Sequence, residues 1–264
     1  MRRGAVVEAV HRVHVATSER VLHGDDLVSF LRSAAKPIQA VPLAEAYDDL
    51  GDDELAIACA SHQAAPAQLA AVRKLLARAE ATVEELENGP QEGRPDGRLG
   101  HNCSGKHAGM LAACRANGWP LAGYRFPGHP LQRRIGALVG SRATAVDGCG
   151  LPTYALSLTE AAGLLLRTPA RIAAAMRTRP ELVGRPDGAD VALMLARPGW
   201  LAKAGAEGLV CAVSPDGAGY AFKVEDGNTR ALGPAVGAVL GISELARTEL
   251  RNSLGEQVGV IEAE

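Results

Sequence analysis

Aromatic residues are scarce in this chain of 264 residues, where they make up 3% of the sequence. Proteins that bind nucleic-acid bases commonly stack them on aromatic rings, so this scarcity argues against such ligands. The formal net charge of −2 leaves no excess of basic side chains with which to bind nucleic acid or an anionic lipid surface. We therefore expect neither nucleic acid nor a membrane as a partner.

Long hydrophobic runs are also missing. No apolar stretch reaches the roughly 20 residues that a membrane-spanning helix needs. The opening Met-Arg-Arg-Gly leads into alternating residues and not into the apolar core of a signal peptide. The five cysteines are odd in number and scattered, which is untypical of a disulfide framework. These features predict a cytoplasmic protein whose thiols are free or bound to a metal.

Strand-like and helix-like patterns occupy different parts of the chain. Alternating apolar and polar residues predict strands near the two ends, at 4–17, 208–214, 219–225 and 257–261. Helical patterns fill most of the interval 31–200, and an apolar run at 229–252 predicts one further long helix. This order predicts an α+β fold for a single domain of residues 1–264, with one mainly antiparallel sheet built from both ends and a helical subdomain in the middle.

The most reactive stretch is residues 100–111, which places Cys103, Ser104, Lys106 and His107 just before an apolar helix. Free N–H groups at a helix N-terminus favour an anion or a polarised carbonyl. A phosphate-binding loop is disfavoured, because His107 stands where Ser or Thr would hold magnesium and no apolar strand precedes the loop. Two interpretations stay open: a metal or nucleophile site built on Cys103, and a structural loop around a buried cysteine.

A zinc site would need more than one thiolate. Cys149 supplies a second one in a glycine-lined loop that follows a predicted strand, two positions after Asp147. Two sulfur ligands are too few for a closed structural site, so a third ligand and an open position would be required. By composition His107 is the obvious third ligand and Lys106 a less usual one.

Serine–lysine pairs form a further pattern. In Ser33-Ala-Ala-Lys36 the two side chains share a helical face, and a lysine with a lowered pKa can take the serine proton. The pattern is short and is often no more than a surface pair. Lys203-Ala-Gly205 follows far downstream, in an arrangement partly like that of serine β-lactamases, which have Lys-[Thr/Ser]-Gly there. Ser61-His62 on its own is typical of an ordinary polar pair at the end of a helix.

Taken together, seven segments in one order resemble the Rhizobium-type L-asparaginases of the asparaginase II family. They are Arg32-Ser-Ala-Ala-Lys-Pro-Ile-Gln39, Ala60-Ser-His62, Asn102-Cys-Ser-Gly-Lys-His-Ala-Gly-Met-Leu111, His129-Pro-x-Gln132, Val146-Asp-Gly-Cys149, Lys203-Ala-Gly-Ala-Glu-Gly208 and Lys223-Val-Glu-Asp-Gly-Asn-Thr-Arg230. The resemblance implies a fold akin to serine β-lactamases and glutaminases, a homodimer, and hydrolysis of L-asparagine to L-aspartate and ammonia.

The resemblance also implies roles for individual residues. Two catalytic pairs, Ser33 with Lys36 and Ser61 with Lys203, would surround the substrate. The expected zinc ligands are Cys103, Lys106 and Cys149, so that Lys106 replaces His107 as the third ligand. The residues expected to border the substrate are Arg32, His62, Asn102, His107 and Asp147.

Two alternatives accompany this interpretation. One is a serine hydrolase of the same fold that interacts with β-lactams, which acylation by a fluorescent penicillin would reveal. The other is a zinc-binding homologue without catalytic activity, which the absence of asparagine turnover would reveal.

Overall fold

The strands form three antiparallel sheets. The computed structural model describes residues 1–264, with strands β1 Arg2–Arg3, β2 Val6–Val7, β3 Val13–Thr17, β4 Val21–His23, β5 Ser29–Phe30, β6 Ala143–Val146, β7 Pro152–Leu156, β8 Leu201–Ala204, β9 Leu209–Val213, β10 Gly219–Val224, β11 Arg247–Arg251 and β12 Gln257–Glu262. The strand orders are β4-β3-β10-β9-β8, β11-β12-β1-β2 and β5-β7-β6. The prediction of a single sheet is therefore wrong, although the two ends of the chain do meet, because β1 pairs with β12.

Eleven helices complete an α+β fold, as predicted. They are α1 Lys36–Gln39, α2 Val41–Ala46, α3 Asp52–Ala58, α4 Pro66–Arg78, α5 Ser104–Ala116, α6 Pro130–Val139, α7 Leu158–Leu166, α8 Ala170–Thr178, α9 Pro180–Val183, α10 Ala189–Ala196 and α11 Leu232–Leu240. Short 3₁₀ turns occupy Arg32–Ala35, Val83–Glu85 and Thr229–Ala231. None of the helices combines the length and the apolarity that a membrane span requires.

Two elements differ between the prediction and the structure. The long helix at 229–252 ends at Leu240, because Gly241 adopts a left-handed conformation with φ +66° that terminates α11. The chain then turns and returns as β11. Strand β7 was missed because all five of its residues are buried, so its sequence has no alternation of apolar and polar residues.

Helix α5 runs through the middle of the helical region. Its residues from Ser104 to Cys114 are all buried, and it packs against α2, α3, α4 and α6. A helix that is covered on every side must carry small or apolar residues around its circumference, which explains its alanines and glycines. The charged and polar side chains in its first turn are therefore exceptional, because they are buried within a continuous core.

The five-stranded sheet lies beside this region. Helix α7 packs on β3, β9 and β10, while α10 packs on β8 and β9. The 3₁₀ turn at Arg32–Ala35 contacts β7, β8 and β9. These contacts bring the Ser33 segment, which is early in the chain, close to the Lys203 strand, which is late in it.

Candidate active site

Helix α5 presents the reactive stretch at its N-terminus, against the end of α3. An added Cβ at Gly105 would lie 2.2 Å from the Ile57 carbonyl oxygen, so only glycine permits this close approach. Just beyond α3, the His62 N–H donates to the Asn102 carbonyl at 3.1 Å. The two segments that hold Ser61 and Cys103 are thereby joined by backbone contacts.

Lys36 is hydrogen-bonded to Ser61. Its side chain is fully buried, and Nζ lies 3.0 Å from Ser61 Oγ and also donates to the Ala60 carbonyl. In the neutral amine form, the lone pair of Nζ is placed to accept the Ser61 hydroxyl proton. This partner differs from the prediction, since no hydrogen bond joins Lys36 to the partly exposed Ser33. The reason is that the long Lys36 side chain reaches across to the end of α3.

The pKa of Lys36 is lowered from 10.5 to about 8. Burial is the largest cause, because it disfavours the charged ammonium. The thiolate charge of Cys103 opposes the shift, and the cationic neighbours Lys106 and Lys203 add to it. Lys36 is therefore poised to act as a base near neutral pH.

Lys203 has a different partner from the predicted Ser61. It projects from β8 with no exposure to solvent, and Nζ donates to Asp190 Oδ2 and to the Ala204 carbonyl, both at 3.0 Å. No hydrogen bond joins Lys203 to Ser61, the serine with which it was expected to form a catalytic pair. The backbone nevertheless connects Lys203 to the Ser61 segment: the Ser61 N–H donates to the Val183 carbonyl of α9 at 2.8 Å, and α9 packs against α10, which carries Asp190. Both buried lysines are thus linked to the same short segment.

Asp190 was not identified from the sequence. It is a lone carboxylate in the apolar segment Ala189–Ala196, and it lies in the first turn of α10. The signal that points to it is the burial of Lys203, since a fully buried ammonium requires a counterion.

Cys103 and Cys149 bring two buried sulfurs together. A hydrogen bond from Cys149 is the largest cause that lowers the pKa of Cys103 well below its ordinary value, while the same contact raises the pKa of Cys149. The Lys106 Nζ lies 3.1 Å from the Cys149 sulfur. Burial alone would lower the pKa of Lys106, but the nearby thiols and Asp147 raise it above its ordinary value. The thiol pair and the amine form one cluster.

This cluster suits a soft divalent metal. Two thiolates and a neutral amine are acceptable zinc ligands, and they leave a fourth position open. No group of three or more histidine, cysteine, aspartate or glutamate side chains is arranged to hold a metal. His107, the third ligand that composition alone would favour, is not grouped with Cys103 and Cys149 in this way, and its Nδ1 lies 2.6 Å from the Tyr124 hydroxyl. Lys106 does contact the thiol pair, through the Cys149 sulfur.

Arg32 and Asp147 form an ion pair at the edge of this cluster. The Arg32 Nε donates to Asp147 Oδ1, and the Gly148 N–H donates to the same oxygen at 2.7 Å. The Arg32 backbone adopts an unusual left-handed conformation, with φ +49°, immediately before Ser33. Its N–H donates to Thr153 Oγ1 of β7 at 3.2 Å. The pair is partly exposed, so a ligand can reach both charges.

His62 occupies a buried position without a free ring nitrogen. Nδ1 accepts from the Ala64 N–H at 3.0 Å, so Nε2 carries the proton and donates to Ser104 Oγ at 2.8 Å. Burial lowers the pKa of His62 to about 3, which keeps the ring neutral. His62, which is expected to border the substrate, connects the Ser61 segment to α5.

His107 and Asn102 keep unused hydrogen-bonding groups. The His107 Nδ1 lies 2.6 Å from the Tyr124 hydroxyl, whereas Nε2 is buried and has no partner. Asn102 is half-buried, and its backbone N–H and carbonyl are bonded to Gln91 and His62. Its side-chain amide makes no hydrogen bond to the protein. Tyr124, which orients the His107 ring, was not found by sequence reasoning, because a single tyrosine carries no pattern.

A cavity of about 560 Å³ lies elsewhere, between the N-terminal strands, α11 and β12. Its lining is mostly apolar and includes no cysteine, serine or lysine. The candidate site is therefore the cluster of nucleophilic and ionisable side chains, and not this cavity.

One comparison with known proteins gives a match, and the matched residues include all those of the candidate site. The family model described as L-asparaginase II matches residues 1–261. A search of curated proteins finds no match.

Proposed function

The chain belongs to the L-asparaginase II family, and from this premise we propose that it hydrolyses the side-chain amide of L-asparagine to L-aspartate and ammonia. The observation that carries the proposal is the hydrogen bond between Lys36 and Ser61, with the pKa of Lys36 lowered to about 8. A buried amine held on a serine hydroxyl supports nucleophilic catalysis of acyl transfer.

In this proposal Ser61 is the nucleophile. Its hydroxyl oxygen attacks the amide carbon while Lys36 Nζ takes the hydroxyl proton. The carbon–nitrogen bond then breaks, Lys36 returns the proton to the departing nitrogen, and ammonia leaves an ester on Ser61. A water molecule, deprotonated by the same amine, hydrolyses the ester and releases aspartate. The resemblance assigns the partly exposed Ser33 to the same site, and we propose that it assists the proton transfers.

Positive charge around Ser61 would stabilise the oxyanion that forms during attack. The Lys203 ammonium is buried, and charge acts more strongly in such low-dielectric surroundings. Cys103, Lys106 and Cys149 would hold a zinc ion, whose charge the two thiolates would balance, so the bound metal would fix this loop and help to bind the substrate. Lys106 must be a neutral amine to serve as a ligand.

Free asparagine is a zwitterion, so its recognition needs both signs of charge. Arg32 offers a guanidinium to the α-carboxylate, and Asp147 offers a carboxylate to the α-ammonium. His107 Nε2 and the Asn102 amide provide uncharged groups that have no protein partner. This combination favours a small amino-acid amide over a long or apolar one.

The test is ammonia release from L-asparagine by the purified protein and by Ser61→Ala and Ser33→Ala variants. We expect Ser61→Ala to lower kcat by about 1,000-fold or more and Ser33→Ala by about 10- to 100-fold. Ser157→Ala is the matched control, because it removes a serine hydroxyl outside the site, at the buried N-cap of α7, and should leave kcat unchanged. Absence of ammonia release by the unmodified protein would refute the function. Near-normal turnover in Ser61→Ala would refute the assigned nucleophile.

A further inference from the structure

The carboxylate of Asp190 is held by three donors. Oδ2 accepts from Lys203 Nζ at 3.0 Å and from the Ala204 N–H at 2.8 Å, and Oδ1 accepts from the Val191 N–H at 3.0 Å. Asp190 is 3% exposed and Lys203 is 0% exposed. An ion pair this deeply buried is retained only when its hydrogen bonds are satisfied, and here the carboxylate is well supplied with donors.

These contacts fix the strand against the helix. Asp190 lies in the first turn of α10, where the helix dipole favours a negative charge, and it binds both the side chain of Lys203 and the next backbone N–H on β8. A shift of β8 relative to α10 would break both contacts together. The position of the Lys203 ammonium is thus set by two rigid elements.

The two buried lysines differ in one respect. Lys203 has a carboxylate partner, whereas Lys36 bonds only to a carbonyl and a hydroxyl. A carboxylate partner favours the charged form of a lysine, whereas burial without a counterion disfavours it. The environments therefore assign one lysine as a fixed cation and the other as a base.

We propose that Asp190 is a positioning residue, which holds Lys203 as a fixed ammonium beside the Cys59–Ser61 segment and so leaves Lys36 as the base for Ser61. This inference rests on the proposed function, and it adds a residue that acts only through Lys203. In this role Lys203 does not act as a general base.

The experiment is a double-mutant cycle on the full chain with Asp190→Asn, Lys203→Met and the double variant. We expect Asp190→Asn to lower kcat about 50-fold with KM changed less than about threefold, because a fixed cation acts on the transition state. In the Lys203→Met background, Asp190→Asn should change kcat by less than about twofold. An equal loss in both backgrounds, or a kcat for Asp190→Asn within about twofold of normal, would overturn the proposal.

Glu54→Gln is the matched control, because Glu54 is also a buried carboxylate paired with a cation, Arg78, at the start of α3. It should lower the Tm without changing kcat. If Asp190→Asn does not fold, Asp190→Glu replaces it: the charge is kept, the ammonium is displaced, and kcat should fall while the Tm stays closer to normal. An unchanged kcat in Asp190→Glu with a normal Tm would count against the proposal.

A second readout separates this inference from the substrate assignment. An alkyl fluorophosphonate labels an activated serine and loses fluoride. Labelling of Ser61 requires the same base and cation as amide hydrolysis but no asparagine, and its rate is the second readout. If Ser61 of the unmodified protein is labelled but no ammonia is released, the proposed function fails. The double-mutant cycle can then still be carried out by comparing the labelling rates of the variants. Non-additive labelling rates would support the role of Asp190, and additive rates would reject it.

Discussion

At the scale of single residues, three buried lysines share one chemistry and differ in their surroundings. Lys36 bonds to a serine hydroxyl, Lys203 to the Asp190 carboxylate, and Lys106 to the Cys149 sulfur. The partner of each amine decides whether it acts as a base, a cation or a metal ligand in our proposal. Residue type alone does not distinguish these roles.

The pH dependence of activity follows from Lys36. Its pKa is lowered to about 8, so the amine is neutral above this pH and protonated below it. We expect kcat/KM to rise with pH, by about tenfold per unit below pH 8, and to level off above it. The measurement is kcat/KM for L-asparagine from about pH 6 to 10, with Ser157→Ala as a control that should follow the same curve. A flat profile across this range would contradict the role of Lys36 as base.

At the scale of elements, the site depends on how closely α5 approaches α3. The contact is made by the backbone at Gly105 and Ile57, where there is no room for a side chain. It places Cys103 and the first turn of α5, which contains Lys106, against the segment that leads to Ser61. The contact between α3 and α5 therefore positions residues of the site, besides contributing to the core.

Gly105→Ala tests this interface. The added methyl group would overlap the Ile57 carbonyl oxygen, so we expect the free energy of unfolding to fall by about 3 kcal/mol and turnover to fall with it. Gly136→Ala is the matched control in α6, because its nearest neighbour, Tyr154, would be 3.9 Å away. That variant should be neutral or gain up to about 1 kcal/mol from helix propensity. Urea unfolding of both variants measures the difference, and equal stabilities would contradict the interpretation.

At the scale of the whole molecule, the proposed zinc ligands connect distant parts of the chain. Cys103 and Lys106 lie at the start of α5, and Cys149 lies in the loop between β6 and β7. A metal held by all three would link the helical core to the three-stranded sheet. Such a ligand set exists only in the folded protein, so metal binding favours folding.

Zinc should therefore raise the Tm and a chelator should lower it. At a free zinc concentration about 100 times the Kd, we expect a stabilisation of about 2.7 kcal/mol, which differential scanning fluorimetry detects as a higher Tm. Cys149→Ala should abolish the response. Cys114→Ala, which removes another buried cysteine from α5, should lower the Tm but keep the response to zinc. A zinc response that survives in Cys149→Ala would disprove this ligand set.

The sequence by itself determined much of the local structure and the composition of the site. Apolar periodicity predicted α4, and alternation predicted β9 and β10, because these features depend on neighbours along the chain. The reactive residues occur in an order that indicates the family from the sequence alone.

Only the tertiary structure decided which side chains act together. The spacing of Ser33 and Lys36 predicted a pair, but a hydrogen bond requires atoms about 3 Å apart, and that distance is set by packing between segments that are remote in sequence. Lys36 consequently meets Ser61, and Lys203 meets Asp190. Burial explains the remaining errors: it removes the alternation that marks a strand in β7, and it creates the need for a counterion that makes Asp190 important.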